Sequence, residues 1–98
     1  MKVLVLGGDG FCGWPTALHL SARGWDVVIV DNLSRRNIDN ELEVQSLTPI
    51  RPMGERIAAW RELTGRSIGF VNLTLGKEFD RLVQLIRDEA PDSIVHFA

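Results

Sequence analysis

Short apolar runs alternate along the chain with longer stretches in which apolar residues recur every three or four positions. The runs predict strands over residues 3–6, 26–30, 67–71 and 93–97. Apolar runs without alternation are typical of strands buried on both faces of a parallel sheet. The helical periodicity predicts helices over residues 11–23, 53–64 and 77–90. Because strands and helices alternate, the pattern favours an α/β fold with right-handed parallel crossovers.

Each predicted helix has one face that we expect to be buried. In the first helix the face comprises Phe11, Trp14, Leu18 and Ala22, with Ala17 and Leu20 flanking it. In the second it comprises Met53, Ile57, Trp60 and Thr64, with Leu63 beside them, and in the third Phe79, Leu82, Val83, Ile86 and Ala90. Gly24, Gly65 and Pro91 follow the helices as stop signals. The segment 31–52 is the least regular part of the chain, and we predict an irregular loop there.

The expected architecture is a Rossmann-type parallel sheet in the order 3-2-1-4 with helices on both faces. The pattern stops after the fourth strand, which we expect beside the first. We therefore interpret residues 1–98 as the N-terminal part of a longer domain, truncated after that strand. The crevice between the carboxyl ends of the first and fourth strands is where such folds bind ligands.

Three glycines follow the first strand at the spacing G-x-x-G-x-x-G, and a helix begins directly after them. Gly7 allows a sharp turn, Gly10 allows backbone to approach a pyrophosphate, and Gly13 allows close helix–sheet packing. The free N–H groups at the helix start and the helix dipole favour phosphate. A tight turn that binds nothing is the alternative. The predicted cofactor contacts at the turn and at the end of the fourth strand are Gly7, Asp9, Gly10, Phe11, Cys12, Gly13, Phe97 and Ala98.

Asp31 ends the second strand, 18 positions after Gly13. A dinucleotide-binding fold places at this point the acid that hydrogen-bonds the adenosine ribose. A carboxylate there also repels a 2′-phosphate, so we expect NAD to be preferred over NADP. Asn32 is a candidate for bonding the adenine or the ribose. A simple cap of the following segment is the alternative role for Asp31.

Arg35 and Arg36 form a basic pair in the irregular loop. They could stack on adenine or contact phosphate at the adenosine end of the cofactor. They could instead receive a 2′-phosphate, which would favour NADP, or belong to a solvated basic turn.

Composition excludes several other classes of function. A net charge of −2 gives no reason to expect nucleic acid or an anionic membrane as a partner. No apolar run approaches the roughly 20 residues that span a bilayer. The single cysteine fits a reducing cytoplasm, and His and Cys are too few for a structural zinc site. We predict neither a metal site nor a catalytic constellation.

A resemblance to the UDP-sulfoquinovose synthase family rests on four stretches: GGDGFCGW at 7–14, DNLSRR at 31–36, SLTP at 46–49 and PDSIVHFA at 91–98. That family belongs to the extended short-chain dehydrogenase/reductases, alongside NAD-dependent nucleotide-sugar epimerases and dehydratases. The resemblance implies a parent enzyme, with a possible homodimeric assembly, that uses bound NAD to oxidise the sugar of UDP-glucose transiently, eliminates water, adds sulfite and returns the hydride. It also places Arg35 and Arg36 at the adenosine side.

The chain departs from the family pattern in two places. The family usually has a Gly-Asp pair after the third strand, whose acid meets the adenine, whereas this chain has Val71-Asn72-Leu73-Thr74; Asn72 or Thr74 is a candidate substitute. The family's catalytic threonine and Tyr-x-x-x-Lys pair lie beyond position 98, and this chain contains no tyrosine. The leading hypothesis is therefore the NAD-binding N-terminal segment of a nucleotide-sugar enzyme. By this resemblance, residues 1–98 are the first part of an NAD(P)-binding Rossmann domain, without catalytic or substrate-binding parts. An epimerase or dehydratase of other specificity and a non-catalytic dinucleotide-binding module are the alternatives.

Overall fold

The computed structural model describes residues 1–32 and 51–97, which form four strands and three helices. The elements are β1 (Lys2–Leu6), α1 (Gly13–Ala22), β2 (Asp26–Asp31), α2 (Met53–Thr64), β3 (Ile68–Asn72), α3 (Phe79–Glu89) and β4 (Ser93–His96). The predicted strand and helix boundaries differ from these by at most two residues. Arg35, Arg36, Ala98 and most of the predicted irregular loop lie outside the described residues.

The four strands form one parallel sheet in the order β3-β2-β1-β4. β1 lies in the middle and pairs with β2 and β4; Leu4, for example, lies opposite Val28 on one side and Ile94 on the other. β2 continues the sheet through its pairing with β3. The predicted Rossmann-type fold and strand order are therefore confirmed.

The two central strands bury both of their faces, which is why their apolar runs show no alternation. Val3, Val5, Val27 and Ile29 belong to the core on the side of α1 and α2. The intervening residues Leu4, Leu6, Val28 and Val30 belong to the core on the side of α3. Successive side chains of a strand point to opposite faces, so residues 3–6 of β1 and 27–30 of β2 are covered by apolar residues on both sides.

Helix α1 packs on the sheet through small residues, and this corrects the predicted face. Its buried positions are Gly13, Ala17 and Ser21, with Trp14 and Leu18 packed at the sides. Small side chains at every fourth position allow the helix backbone to lie close to the sheet. Gly24 follows the helix with φ 93°, the left-handed conformation expected for a glycine that ends a helix.

Several other positions that we predicted to be buried are exposed. The incorrect ones are Phe11, Ala22, Leu63, Thr64, Phe79 and Ala90. Each lies at the first or last turn of a helix or just outside it. Helical spacing along the chain does not tell whether a neighbouring element still covers such an end. Phe11, which is 85% exposed, precedes α1 rather than belonging to it.

Lys2 ties the start of the sheet to the end of α3. Its backbone N–H donates to Asp92 Oδ2 at 2.8 Å, and its Nζ donates to Glu89 Oε2 at 2.7 Å. The hydrogen bond to Glu89 raises the pKa of Lys2 above its usual 10.5. None of the helices within residues 1–32 and 51–97 has the length and apolar character to cross a membrane.

Candidate functional site

A cavity of about 390 Å³ opens at the carboxyl ends of the strands. All four strands contribute to its wall through the residues that end or follow them. The lining comprises Gly7, Asp9, Gly10, Val30, Asp31, Asn32, Leu73, Thr74, Leu75, Gly76 and Phe97. This edge of the sheet contains the point where the strand order reverses, which is the usual ligand site of open α/β folds.

The glycine turn between β1 and α1 forms one side of the cavity. Gly7 has φ 83°, a left-handed conformation that glycine adopts without strain, and its N–H donates to the carbonyl of Val30 at 2.8 Å. Gly10 donates to the carbonyl of Gly7 at 3.1 Å and closes the turn. A Cβ on Gly13 would lie 2.1 Å from the oxygen of Gly7, so that position requires glycine.

Gly10 has a different environment from Gly13. A Cβ built on Gly10 would meet only the oxygen of Gly7, at 3.3 Å, and Gly10 lies in the cavity wall. A side chain there would therefore occupy cavity space rather than packed protein. The residues of this turn fit a bound pyrophosphate, which needs close approach to backbone N–H groups.

Asp31 stands at the end of β2 and faces the glycine turn. Its Oδ2 accepts a hydrogen bond of 2.9 Å from the backbone N–H of Asp9. The carboxylate is thereby oriented at the cavity wall, where it can accept further hydrogen bonds from a ligand hydroxyl. Asn32 follows it in the same wall.

Asp9 itself is buried and makes an ion pair with Arg56 of α2. Arg56 Nη2 donates to Asp9 Oδ1, and the side chains are only 12% and 6% exposed. The guanidinium carbon also lies 4.6 Å from the centre of the Trp14 ring, a cation–π arrangement. Sequence reasoning missed Arg56, since 47 positions separate it from Asp9 and no motif marks it.

The structure brings together some of the predicted cofactor residues and separates others. Those in the cavity wall are Gly7, Asp9, Gly10, Asp31, Asn32 and Phe97. Phe11, Cys12 and Gly13 lie outside the wall, although they belong to the same turn and helix start. Arg35, Arg36 and Ala98 lie outside the described residues, so their predicted contacts stay predictions.

The segment after β3 forms one side of the cavity, and the sequence motifs predicted only part of it. Thr74 lies in the cavity wall, whereas Asn72 is exposed and takes no part in it. Of the two candidate substitutes for the family's acid, Thr74 is therefore the one positioned to meet a ligand. Leu73, Leu75 and Gly76 complete this side of the cavity.

Two side chains with reactive groups lie at the periphery. Cys12 is exposed and is the residue before α1, where its carbonyl accepts a hydrogen bond from Thr16 Oγ1 at 2.8 Å. His96 ends β4 and is exposed. In the part of the chain that the structure describes, no three His, Cys, Asp or Glu side chains group in a way that could hold a metal ion.

The sequence matches the NAD dependent epimerase/dehydratase family over residues 3–98. The chain belongs to this family. The cavity of this chain combines a glycine turn with a strand-ending acid, the two features by which a dinucleotide-binding fold is recognised. The predicted membership of the NAD-dependent epimerase/dehydratase family is thereby confirmed.

Sequence comparison with individual proteins shows which enzymes this chain is similar to. The chain is 48% identical over 98 residues to the chloroplastic UDP-sulfoquinovose synthase of Spinacia oleracea, covering 98% of this chain and 20% of that protein. It is 40% identical over 100 residues to the UDP-sulfoquinovose synthase of Sulfolobus acidocaldarius, covering 100% of this chain and 25% of that protein. The similarity to UDP-sulfoquinovose synthases thus spans the whole chain.

A solved structure of the same family has a similar fold. The UDP-glucose-4-epimerase of Stenotrophomonas maltophila, with bound NAD and formylated UDP-arabinopyranose, matches with a TM-score of 0.71 and 28% identity. The match covers 100% of this chain and 24% of that one. The chain therefore spans between a fifth and a quarter of the length of these relatives.

Proposed function

We propose that this chain binds NAD in the cavity at the carboxyl ends of its strands. The observation that carries the proposal is the convergence of Gly7, Gly10 and Asp31 on one cavity wall. These residues provide backbone that a pyrophosphate can approach and a carboxylate that a ribose can reach. The bound NAD of the Stenotrophomonas epimerase, whose fold this chain shares, supports the same assignment.

Each part of the wall has a role in this proposal. The N–H groups at the start of α1 and the dipole of that helix favour the pyrophosphate. Asp31 accepts hydrogen bonds from the adenosine ribose, and its charge disfavours a 2′-phosphate. Thr74 and the apolar residues after β3 border the adenine side. Bound NAD would supply the hydride acceptor of the family's chemistry.

We further propose that the chain is the cofactor-binding segment of a UDP-sulfoquinovose synthase, which joins sulfite to UDP-glucose through transient oxidation of the sugar. The 48% and 40% identities to two such enzymes support this assignment. The chain contains no tyrosine, so the family's catalytic base would come from elsewhere in the parent enzyme. We expect the parent to act in a reducing compartment such as the cytoplasm, as a possible homodimer.

A UDP-glucose 4-epimerase is the second candidate, because a solved enzyme of that kind shares the fold over the whole chain. Both candidates use the same cofactor and a UDP-sugar. They differ in whether sulfite is a substrate. The choice between them therefore depends on a reaction rather than on the cofactor site.

Two measurements test the proposal. Calorimetric titration of the chain with NAD and NADP should show binding of NAD and weaker binding of NADP; absence of NAD binding would contradict the first assignment. The proposed parent enzyme should then be incubated with UDP-glucose, with and without sulfite. A sulfonated product that forms only with sulfite supports the synthase, whereas UDP-galactose formed without sulfite supports the epimerase.

A further inference from the structure

Arg56 belongs to α2, but its guanidinium lies at the glycine turn that follows β1. It donates from Nη2 to Asp9 Oδ1 and stacks on the ring of Trp14 at 4.6 Å. Both partners of the ion pair are nearly removed from solvent. A planar guanidinium held on one side by a carboxylate and on its face by an indole has a fixed position.

The position of the Arg56 guanidinium matters because the charged residues in the cavity wall are acidic. Asp9 and Asp31 are both in the wall, and no Lys, Arg or His is among the described residues that line it. The pyrophosphate of a dinucleotide carries negative charge as well. Like charges in a partly buried site oppose one another more strongly than in water. A cation just behind the wall therefore favours binding of the pyrophosphate.

Asp9 also connects this cation to the ribose side of the cavity. Its carboxylate pairs with Arg56, and its backbone N–H donates to Asp31 Oδ2 at 2.9 Å. One residue of the glycine turn thus joins α2 to the acid at the end of β2. A shift of Asp9 would move the N–H group that orients Asp31.

We propose that Arg56 is a positioning residue for the dinucleotide. It neutralises Asp9 beneath the pyrophosphate and holds the glycine turn in register with Asp31. This inference rests on the proposed NAD-binding function and assigns to α2 a part in cofactor recognition. The role is electrostatic in origin, so it depends on whether the ligand carries phosphate.

Ligands with and without the pyrophosphate test the role of Arg56. The affinities of adenosine, ADP and NAD are measured by NMR titration or calorimetry for the chain and for Arg56→Met. ADP and NAD should bind about tenfold more weakly to the variant, the scale expected when one nearby opposite charge is removed. Adenosine, which has no phosphate and meets only the Asp31 side of the site, should lose less affinity than ADP. Equal weakening for adenosine, or no weakening for ADP, would overturn the proposal.

Three further variants separate charge from structure. Asp9→Asn should bind ADP more tightly than the wild type, because it removes the carboxylate and keeps Arg56. The double variant Asp9→Asn/Arg56→Met should recover most of the ADP affinity that Arg56→Met loses. Arg81→Met removes the same charge from α3, where Arg81 pairs with Glu78 away from the cavity wall, and is the matched control for net charge.

The outcomes distinguish this inference from the proposed function. Wild-type protein that fails to bind NAD contradicts the function itself. Wild-type protein that binds NAD, with a double variant no better than Arg56→Met, contradicts the role of Arg56 alone. If Arg56→Met does not fold, as judged by circular dichroism, Asp9→Asn decides the question, and weaker ADP binding by that variant overturns the proposal.

Discussion

The backbone N–H of Asp9 donates a hydrogen bond of 2.9 Å to Oδ2 of Asp31. The contact joins the glycine turn after β1 to the end of the neighbouring strand β2. Because the donor is a backbone group of the turn and the acceptor is the carboxylate at the end of β2, this bond fixes the distance between the turn and the end of the strand. The carboxylate that accepts this bond is the group that we propose to recognise the ribose of a bound dinucleotide.

Replacement of Asp31 tests its proposed role in cofactor choice. Asp31→Ala should weaken NAD binding by about 1–3 kcal/mol, the range for a hydrogen bond to a charged group. NADP binding should weaken less or improve, since the repulsion of a 2′-phosphate is removed. Titration of both dinucleotides measures the two effects.

Asp31→Asn is the matched control, because it keeps the shape and one acceptor oxygen but removes the charge. We expect it to narrow the preference for NAD over NADP while it retains more NAD affinity than Asp31→Ala. Unchanged NAD affinity in both variants would show that Asp31 does not contact the cofactor. NADP binding tighter than NAD in the wild type would indicate that other residues, with Arg35 and Arg36 as the first candidates, dominate the choice.

Substitutions at Gly10 and Gly13, two glycines of the same turn, should have different effects: the first on ligand binding and the second on folding stability. Gly10→Val should abolish dinucleotide binding and leave the secondary structure intact, because a Cβ there would meet only the oxygen of Gly7, at 3.3 Å, and Gly10 lies in the cavity wall. Gly13→Ala should destabilise the fold by about 1–3 kcal/mol or more, the scale of overpacking. Its Cβ would lie 2.1 Å from the oxygen of Gly7, and backbone atoms cannot move aside as side chains do.

Circular dichroism, urea unfolding and NAD titration of the two variants give the comparison. Retained NAD affinity in Gly10→Val would mean that the turn is structural only. A Gly13→Ala variant as stable as the wild type would contradict the close approach of α1 to the turn.

Trp60 connects α2 to α1 through a single hydrogen bond. Its Nε1–H donates to Ser21 Oγ at 2.9 Å, and Ser21 is buried in the face of α1 that packs on the sheet. Trp60→Phe should lower the free energy of unfolding by about 1–2 kcal/mol, because the indole hydrogen bond is lost and the serine hydroxyl remains buried. Urea unfolding monitored by circular dichroism measures the change.

Ser21→Ala is the control for this pair. If the hydrogen bond stabilises the helix contact, the double variant Trp60→Phe/Ser21→Ala should be less destabilised than the sum of the single variants. Strictly additive effects would show that the two side chains contribute independently, through packing alone. Neither substitution should change dinucleotide affinity, since neither residue lines the cavity.

The strand order and the location of the cavity follow from local patterns that a single chain reveals. Unbroken apolar runs predict strands covered on both faces, and the glycine spacing predicts the turn between β1 and α1. Helix ends were less predictable. Phe11 and Phe79 have the right spacing to be buried, but they are 85% and 66% exposed. Burial at a helix end depends on how far the neighbouring layer extends, and spacing along the chain carries no information about that distance.

By itself, the amino-acid sequence determined the fold class and the acid and glycines of the candidate site, because each depends on residues close together in the chain. Only the tertiary structure decided that Thr74 rather than Asn72 lies in the cavity wall, and that Arg56 meets Asp9. The choice at β3 depends on which way the chain turns after the strand. The Asp9–Arg56 pair forms because α2 packs on the same face of the sheet as α1, which brings a cation 47 positions away in the sequence to the glycine turn.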